Sequence, residues 1–367
     1  MPATHIILFT PSIFTGGGTE RVLTDLAHML YEEGFEVTIL SSIRGSKILF
    51  PLRSEIPVHT FGFASFRDRH AGSFAVKVVN KLLGKFFLSR FLKQHVKAET
   101  KVIISFSADN TNDCFNTRYG NLVVAFEHFP FEAYDAYPKA QLQIRKQYPH
   151  LQKVIVLTAH QENKYKEMGC NVVRIPNTYS FCPEAPAALT NKIVVSVGHL
   201  NRIKRRDLLI TAWKEVVNAY PDWQLHIVGD GPEKEQLEHQ INNLHLSENV
   251  KLLHGTSKVE EYYTHASLFV LTSAFESFSL VLLEAKVSGL PCVSFNVVCG
   301  PNELIREGVD GFLVTFGDTD ALAARIKQLI GDEELRYSMA QKAREDAINR
   351  FHPSLIKQQW LSLLQNI

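Results

Sequence analysis

Long apolar runs are missing from this 367-residue sequence, although 45% of its residues are hydrophobic. A helix that spans a membrane needs about 20 consecutive apolar residues, and no stretch approaches that length. The first residues, Met1 to His5, also lack the basic segment that opens a signal peptide. The sequence therefore predicts a cytoplasmic protein, and a basic segment described below favours a peripheral position on the inner face of the cytoplasmic membrane.

Cysteines are few, the net charge is close to zero, and the sequence shows no metal-binding pattern. The five cysteines are odd in number and form no C-x-x-C pair, which argues against a disulfide scaffold and indicates buried thiols in a reducing compartment. A net charge of +1 gives no electrostatic argument for nucleic-acid binding, so no nucleic acid is expected as a partner. The histidines show no zinc spacing, and the one D-x-D, at Asp318 and Asp320, precedes a helical stretch and is interpreted as a helix cap.

Short β-branched runs alternate with amphipathic helical stretches in two series along the chain. This alternation predicts βαβ units and parallel sheets covered on both faces. The predicted strands are 5–10, 36–41, 58–61, 102–106, 122–126 and 154–157, then 193–197, 224–228, 251–253, 268–271 and 292–295, with helices near 19–33, 206–219, 233–243, 280–288, 321–329 and 353–364.

Between the two series, residues 179–190 contain two prolines and no periodicity, and they are predicted to be a linker. The fold class is therefore α/β, with two Rossmann-like doubly wound domains at 1–178 and 191–350. Ligands of such sheets bind beyond the carboxyl ends of the strands, so the domains are expected to face each other across a cleft. The last helix, within 351–367, carries an apolar face and is expected to return to the N-terminal domain.

The most informative motif joins an apolar strand to a helix near residue 280. Glu276 lies in the turn and Glu284 lies on the helix. Each carboxylate accepts two or more hydroxyl hydrogen bonds, while the amides at the start of a helix favour an anion. A nucleotide sugar has this shape, with hydroxyls on the sugar and on the ribose and phosphate between them.

Two further segments suit an anion. The glycine-rich turn from Gly16 to Arg21 follows the first strand, and it is either a simple tight turn or backbone wrapped around a sugar phosphate or acceptor. The strand end from Gly198 to Arg206 contains five basic or potentially basic side chains before a helix, where cations oppose the helix dipole unless an anion binds. Lys204, with Arg202 or His199, is predicted to neutralise a diphosphate leaving group; a solvated loop is the alternative.

In these motifs the chain resembles the retaining GT-B glycosyltransferases of glycosyltransferase family 4, over nearly its whole length. The similar segments are the glycine loop at 17–21, the phosphate segment at 198–204, the G-x-G-P turn at 228–232, the E-x7-E motif at 276–284 and a glycine-rich tail at 299–314. The chain departs from the family at His199, where arginine is most common, and at Ser279, where glycine or proline is commoner.

The resemblance implies roles for individual residues. Glu276 is expected to contact hydroxyls of the donor hexose, Glu284 the ribose, and the amides of residues 278–281 the sugar and phosphates. His128, after the strand at 122–126, stands where the family places a histidine against the transferred sugar; a purely structural role is the alternative. The predicted donor-binding residues are Gly17, Gly18, Gly198, His199, Arg202, Lys204, Glu276, Ser277, Phe278, Ser279, Leu280, Val281 and Glu284, and the predicted catalytic residues are His128, Glu276 and Lys204.

The implied reaction is retaining transfer of a hexose or N-acetylhexosamine from a nucleotide diphosphate sugar, with UDP favoured by the resemblance. The acceptor hydroxyl approaches on the face from which the diphosphate departs, without a protein nucleophile, a metal or another cofactor. Two alternatives share the fold. One is a nucleotide-sugar isomerase, whose relatives lack this E-x7-E motif; the other is a non-catalytic partner subunit, against which the presence of Glu276, Glu284 and Lys204 argues.

The acceptor is indicated only by a basic segment at about 74–97. Between Arg69 and Ala98 there is no acidic residue, and lysines and arginines alternate with apolar residues at helical spacing. Such a helix binds the surface of an anionic membrane, which suits a glycan acceptor linked to a lipid, as in bacterial surface polysaccharide or oligosaccharide biosynthesis. The alternative is an ordinary helix that packs its apolar side on the first sheet.

Overall fold

The structure, a computed structural model, describes residues 4–61, 86–136, 138–256 and 258–367. These residues form two compact units, Met1–Ile175 with Lys357–Ile367, and Pro176–Ile356. None of the helices described in these ranges combines the length and the apolar character that crossing a bilayer requires.

The first unit contains a parallel seven-stranded sheet of order β3-β2-β1-β4-β5-β6-β7. Its strands are β1 (His5–Thr10), β2 (Glu36–Ser41), β3 (Val58–Thr60), β4 (Thr100–Ser105), β5 (Val123–Phe126), β6 (Val154–Val156) and β7 (Val172–Arg174). Its helices are α1 (Gly18–Glu32), α2 (described over 86–95), α3 (Ala108–Phe115), α4 (Pro138–Gln147) and α5 (Ala159–Glu167). The central strands are fully buried because helices cover both faces of the sheet.

The second unit contains a parallel six-stranded sheet of order β10-β9-β8-β11-β12-β13. Its strands are β8 (Ile193–Val197), β9 (Gln224–Val228), β10 (Val250–Leu253), β11 (Leu268–Leu271), β12 (Cys292–Asn296) and β13 (Gly311–Thr315). Its helices are α6 (Arg206–Ala219), α7 (Lys234–Asn243), α8 (Val259–Thr264), α9 (Leu280–Val287), α10 (Pro301–Leu304), α11 (Thr319–Gly331) and α12 (Glu333–Phe351). The hydrophobic core of this unit includes Trp213, which is 0% exposed.

The last helix, α13 (Pro353–Gln365), begins in the second unit, and its residues from Lys357 onward belong to the first. Trp360 is buried and meets the ring of Phe126 edge-on, with 5.2 Å between the ring centroids. Lys357 Nζ lies 2.7 Å from the carboxylate of Glu33 at the end of α1. The apolar face that the sequence predicted on this helix therefore packs against β5 of the first unit.

Most of the basic segment at 74–97 lies outside the described residues, which resume at residue 86 with α2. Leu88 and Leu92 of α2 are buried in the core of the first unit. Phe86 and Phe87 are 63% and 44% exposed. The described end of the segment thus packs one apolar side on the core, as the alternative interpretation expected, and also leaves two phenylalanines at the surface.

Candidate functional site

The carboxyl ends of β8 and β11 lie side by side in the second unit, where the order of the strands reverses. The chain passes from β8 to β9 on one side, while β11 and β12 lie on the other side. Ligands of open parallel sheets bind at such a switch point. The phosphate segment follows β8 and the E-x7-E motif follows β11, so this edge of the sheet carries the predicted donor site.

Lys204 and Glu276, two of the predicted catalytic residues, form an ion pair at this edge. Lys204 Nζ donates to Glu276 Oε1 over 2.7 Å, and Ser273 Oγ donates to the same oxygen, also over 2.7 Å. The side chains of the pair are 22% and 9% exposed. The remaining carboxylate oxygen, Oε2, makes no hydrogen bond within the described ranges, so it can accept one from a ligand.

Two backbone contacts hold the loops of this ion pair together. Thr272 Oγ1 donates to the carbonyl of Lys204 over 2.9 Å, and the amide of Ala274 donates to the carbonyl of Ile203 over 2.7 Å. Neither Arg202 nor His199 takes part in the pair. Arg202 is 88% exposed, and its Nε lies 3.7 Å from the carboxylate of Glu233, while His199 is exposed.

The start of α9 supplies the amides that the sequence predicted for an anion. Ser279 precedes the helix with φ of +76° and makes no side-chain cap, so the amides of the first turn have no acceptor within the helix. This left-handed backbone explains why glycine suits the position. The Oγ of Ser279 is buried and has no hydrogen-bond partner in the part of the chain that the structure describes. Ser277, Leu280 and Val281 are half-buried.

The other residues of the E-x7-E motif are more deeply placed. Phe278 is 1% exposed and its ring packs edge-on against Phe351, so only its backbone can serve a ligand. Glu284 is 1% exposed, and its Oε2 accepts a hydrogen bond from the hydroxyl of Tyr263 over 3.1 Å. Glu284 is thus held at the base of the site, where Tyr263 fixes its orientation.

Glycines allow backbone segments to meet around the site. Gly198 has φ of +140°, and a Cβ at Gly229 would lie 2.0 Å from the carbonyl oxygen of Gly198. Gly300, with φ of +77°, passes so close that a Cβ would lie 2.8 Å from Cβ of Glu276 and 3.1 Å from the carbonyl oxygen of Phe278. Gly300 was predicted as part of the tail motif, but its contact with Glu276 was not predicted, because the two residues follow different strands.

In the first unit the glycine loop at 16–18 is exposed and leads into α1. Gly17 has an ordinary extended backbone and precedes α1 without a side-chain cap. A Cβ on Gly17 would lie 2.6 Å from the carboxylate of Glu20, which also accepts a hydrogen bond from Thr15 Oγ1. Gly17 therefore allows this carboxylate to close the loop, and the choice between a tight turn and a ligand loop stays open.

His128 follows β5 and is 7% exposed. Its ring stacks on Phe106 with 5.1 Å between centroids and meets Phe126 at 4.1 Å. Burial lowers the pKa of His128 to about 3, so the ring is neutral, and no residue that the structure describes forms a hydrogen bond with its Nε2. The neighbouring Glu127 is also buried, and burial raises the pKa of its carboxyl, which accepts a hydrogen bond from Tyr134 over 3.0 Å.

Because His128 is buried and neutral, we expect the free energy of unfolding to fall in acid. In the unfolded chain a histidine has a pKa near 6.5, so below this value the unfolded state binds a proton that the folded state does not. This stability is present at pH 7 and is lost as the pH falls from about 6.5 toward about 3. Between pH 7 and pH 5 we expect a loss of about 2 kcal/mol from this group alone.

Urea unfolding at the two pH values measures this term. His128→Phe keeps a ring against Phe106 and Phe126 but cannot titrate, so its free energy of unfolding should fall by about 2 kcal/mol less than that of the wild type. The control is His239→Gln, which changes an exposed histidine of the second unit and keeps His128. Equal pH dependence in wild type and His128→Phe would mean that His128 accepts a proton in the folded protein.

Asp318, from the one D-x-D of the sequence, caps a helix. Its Oδ1 accepts a hydrogen bond from the amide of Ala321 over 2.9 Å at the start of α11. The capping interpretation made from the sequence is thus confirmed for Asp318.

Comparison with known proteins gives a consistent result. Residues 183–346 match the family described as Glycosyl transferases group 1. The chain is 27% identical over 375 residues to the amylovoran biosynthesis glycosyltransferase AmsD of Erwinia amylovora, covering 98% of this chain and 99% of the relative. It is 26% identical over 369 residues to an N-acetyl-D-galactosaminyltransferase of Campylobacter jejuni named for an acceptor linked to PP-undecaprenol, with 98% of both chains covered.

Among solved structures, Anabaena HepE in complex with UDP and glucose superposes with a TM-score of 0.80 at 22% identity, over 98% of this chain and 99% of that chain. A likeness at this identity establishes the fold. The predicted fold class, with two Rossmann-like domains of the GT-B type, is therefore confirmed, and the predicted transferase class is confirmed by the family match and the relatives.

Proposed function

We propose that this chain, a GT-B glycosyltransferase with a group 1 glycosyl transferase domain at residues 183–346, transfers a hexose or N-acetylhexosamine from a nucleotide diphosphate sugar to a glycan acceptor with retention of configuration. The observation that carries the proposal is the Lys204–Glu276 ion pair at the switch point, in the same unit as the first-turn amides of α9, which have no acceptor within that helix. Cation, carboxylate and helix start together match the diphosphate and hydroxyls of such a donor.

Each group has a task in this reaction. Glu276 Oε1 is already occupied by Lys204 and Ser273, so Oε2 accepts the hydrogen bond from a sugar hydroxyl. Lys204 and the amides at 278–281 neutralise charge that grows on the diphosphate as the glycosidic bond breaks. Glu284, fixed by Tyr263, binds the ribose. Because protein cations and amides stabilise the leaving group, the proposal requires no metal ion.

His128 is proposed to orient the transferred sugar or the acceptor. Its neutral ring retains one N–H donor and one acceptor nitrogen, and Nε2 is unpaired in the described residues. The Gly17–Gly18 loop is proposed to bind the acceptor or a sugar phosphate. Under this proposal the acceptor hydroxyl attacks from the face that the diphosphate leaves, and the leaving phosphate takes its proton, so no protein nucleophile is needed.

The nucleotide is proposed to be UDP, and the acceptor a lipid-linked glycan in bacterial surface polysaccharide or oligosaccharide biosynthesis. HepE was solved with UDP and glucose, one relative is named for amylovoran biosynthesis, and another for an undecaprenol-linked acceptor. These names support the proposal by similarity. The basic segment at 74–97 is proposed to hold the protein on an anionic membrane where such an acceptor lies.

A thermal-shift screen over UDP-, GDP- and ADP-sugars tests the donor. A ligand that binds only the folded state at 100 times its Kd stabilises that state by about 2.7 kcal/mol, which raises the melting temperature by several degrees. We expect UDP-sugars to give the largest shift. If no nucleotide sugar raises the melting temperature, the second unit is not a donor site and the proposal is wrong.

Product analysis separates the transferase from its alternatives. With donor and acceptor present, transfer releases free UDP in proportion to the glycoside formed. A nucleotide-sugar isomerase would convert one UDP-sugar into another without releasing UDP, and a non-catalytic subunit would bind the donor without turnover.

Sedimentation with liposomes tests the membrane surface. At about 1 kcal/mol for each lysine near an anionic surface, the triple replacement Lys77→Gln, Lys81→Gln and Lys85→Gln should lower the partition coefficient by about a hundredfold at low salt. A control with the same charge loss is Lys192→Gln, Lys214→Gln and Lys258→Gln, on exposed residues of the second unit. Equal binding by both triple variants, or no binding by the wild type, would contradict a membrane role for 74–97.

A further inference from the structure

Arg206 is a buried cation at the first residue of α6, with 1% of its surface exposed. One terminal nitrogen of its guanidinium donates to Ser196 Oγ, and the other donates to the carbonyl of Val197 over 2.7 Å. Both acceptors belong to the last two residues of β8, immediately before Gly198. The guanidinium is therefore fixed beneath the strand end that carries the phosphate segment.

Arg206 forms no ion pair with the described residues, although its neighbours in sequence do. Their ion pairs join Lys204 to Glu276 and Arg205 to Asp207, and Nε of Arg206 has no hydrogen-bond partner among the described residues. Burial lowers the pKa of Arg206 to about 10, while the charge of Glu276 acts in the opposite direction. Loss of hydration makes a buried cation costly, and its place at a helix start adds repulsion from the helix dipole.

Gly198, in the predicted phosphate segment, lies next to this cation. A Cβ on Gly198 would lie 3.2 Å from a guanidinium nitrogen of Arg206 and 3.8 Å from Cε of Lys204. Gly198 thus lies against both cations. An anion that approaches the end of β8 is attracted by Lys204 directly and by Arg206 through the glycine backbone.

We propose that Arg206 is a positioning residue for the donor diphosphate: its hydrogen bonds fix the end of β8, and its charge is balanced when the diphosphate binds. This inference rests on the proposed function of the site as a nucleotide-sugar site. Arg202 or His199 was predicted to supply positive charge beside Lys204, but both are exposed. The proposal assigns this charge to the buried Arg206.

Isothermal titration of UDP and of uridine into Arg206→Gln tests the inference, because uridine lacks the diphosphate. UDP affinity should fall at least tenfold, about 1.4 kcal/mol, while uridine affinity stays unchanged. Arg336 is the matched control: it is 6% exposed and donates to the carbonyls of Leu329 and Ile330, and its Nε likewise has no partner among the described residues. Arg336→Gln should lower the melting temperature without changing either affinity.

The outcomes separate the inference from the proposed function. Wild-type affinity of Arg206→Gln for UDP, or an equal loss for UDP and uridine, would overturn the role of Arg206 and leave the donor site intact. Should the wild type bind neither UDP, GDP nor ADP, the proposed function falls and the inference falls with it. If Arg206→Gln does not fold, Ser196→Ala is the second variant, because it removes one acceptor of Arg206 and keeps the positive charge. Ser196→Ala should lower the affinity for UDP severalfold and leave the affinity for uridine unchanged. An unchanged affinity for UDP would overturn the inference.

Discussion

Replacing Glu276 with glutamine is expected to lower kcat/KM by about 10³-fold, with little change in melting temperature. Glutamine keeps the shape of the side chain and its bond from Ser273, but it removes the negative charge that orients Lys204 at 2.7 Å. Lys204 is then free to move, and under the proposed function the sugar hydroxyl loses its charged acceptor. Both changes act where charge develops in the transition state, so we expect the loss mainly in kcat.

Steady-state kinetics with saturating donor, together with thermal unfolding, measure this effect. Glu261→Gln is the matched control, because Glu261 also pairs with a lysine, Lys258, at 3.7 Å, but its side chain is 63% exposed. An exposed pair of this kind contributes about 0–1 kcal/mol, and Glu261→Gln should turn over as the wild type does. Near-wild-type turnover by Glu276→Gln would show that the charge of Glu276 has no role in the reaction.

Much of the fold could be predicted from periodicity, because buried parallel strands appear in sequence as short apolar runs. The predicted strands at 193–197, 224–228 and 268–271 coincide with β8, β9 and β11. Two edge strands, β7 and β13, were not predicted, since β7 has only three residues and β13 begins with a glycine. Edge strands are covered on fewer sides, so selection for apolar residues is weaker in them.

The longest helix among the described residues, α12 (Glu333–Phe351), was also not predicted. Its buried face includes Arg336 and Asp346 besides alanines, Met339 and Phe351, so the sequence shows no clear apolar stripe. Those polar residues are tolerated because each finds a partner in the folded unit: Arg336 donates to two backbone carbonyls, and Asp346 accepts from Lys286. Periodicity of hydrophobic residues cannot detect a face that is buried through paired charges.

For the candidate site, the sequence indicated residues but not their contacts. Lys204 and Glu276 were both predicted, yet their ion pair joins segments that are 72 residues apart. Arg206 was counted among the cations of the phosphate segment, but its burial depends on its packing against the end of β8. The left-handed backbone at Ser279 likewise follows from how α9 joins its loop. Such features depend on tertiary packing, which local sequence patterns do not encode.

Replacing Lys286 with methionine is expected to lower the free energy of unfolding of the second unit by about 3–5 kcal/mol. Lys286 is 0% exposed on α9; its Nζ lies 2.7 Å from Asp346 and 3.3 Å from Asp310, and it donates to the carbonyl of Leu304. Methionine fills the volume but leaves two buried carboxylates near each other. Arg306 and Arg350, the other partners of these carboxylates, are 48% and 38% exposed and cannot replace a buried cation.

Thermal or urea unfolding measures this loss, which corresponds to a fall of roughly 10 °C in melting temperature for a unit of this size. Lys192→Met is the control, since Lys192 and its partner Asp222 are 59% and 55% exposed, and its loss should stay below about 1 kcal/mol. A loss below 1 kcal/mol for Lys286→Met would mean that water relieves the two carboxylates. Lys286 shares α9 with Glu284, which is proposed to bind the ribose of the donor. If the proposed function holds, Lys286→Met should therefore also reduce the stabilisation expected from UDP.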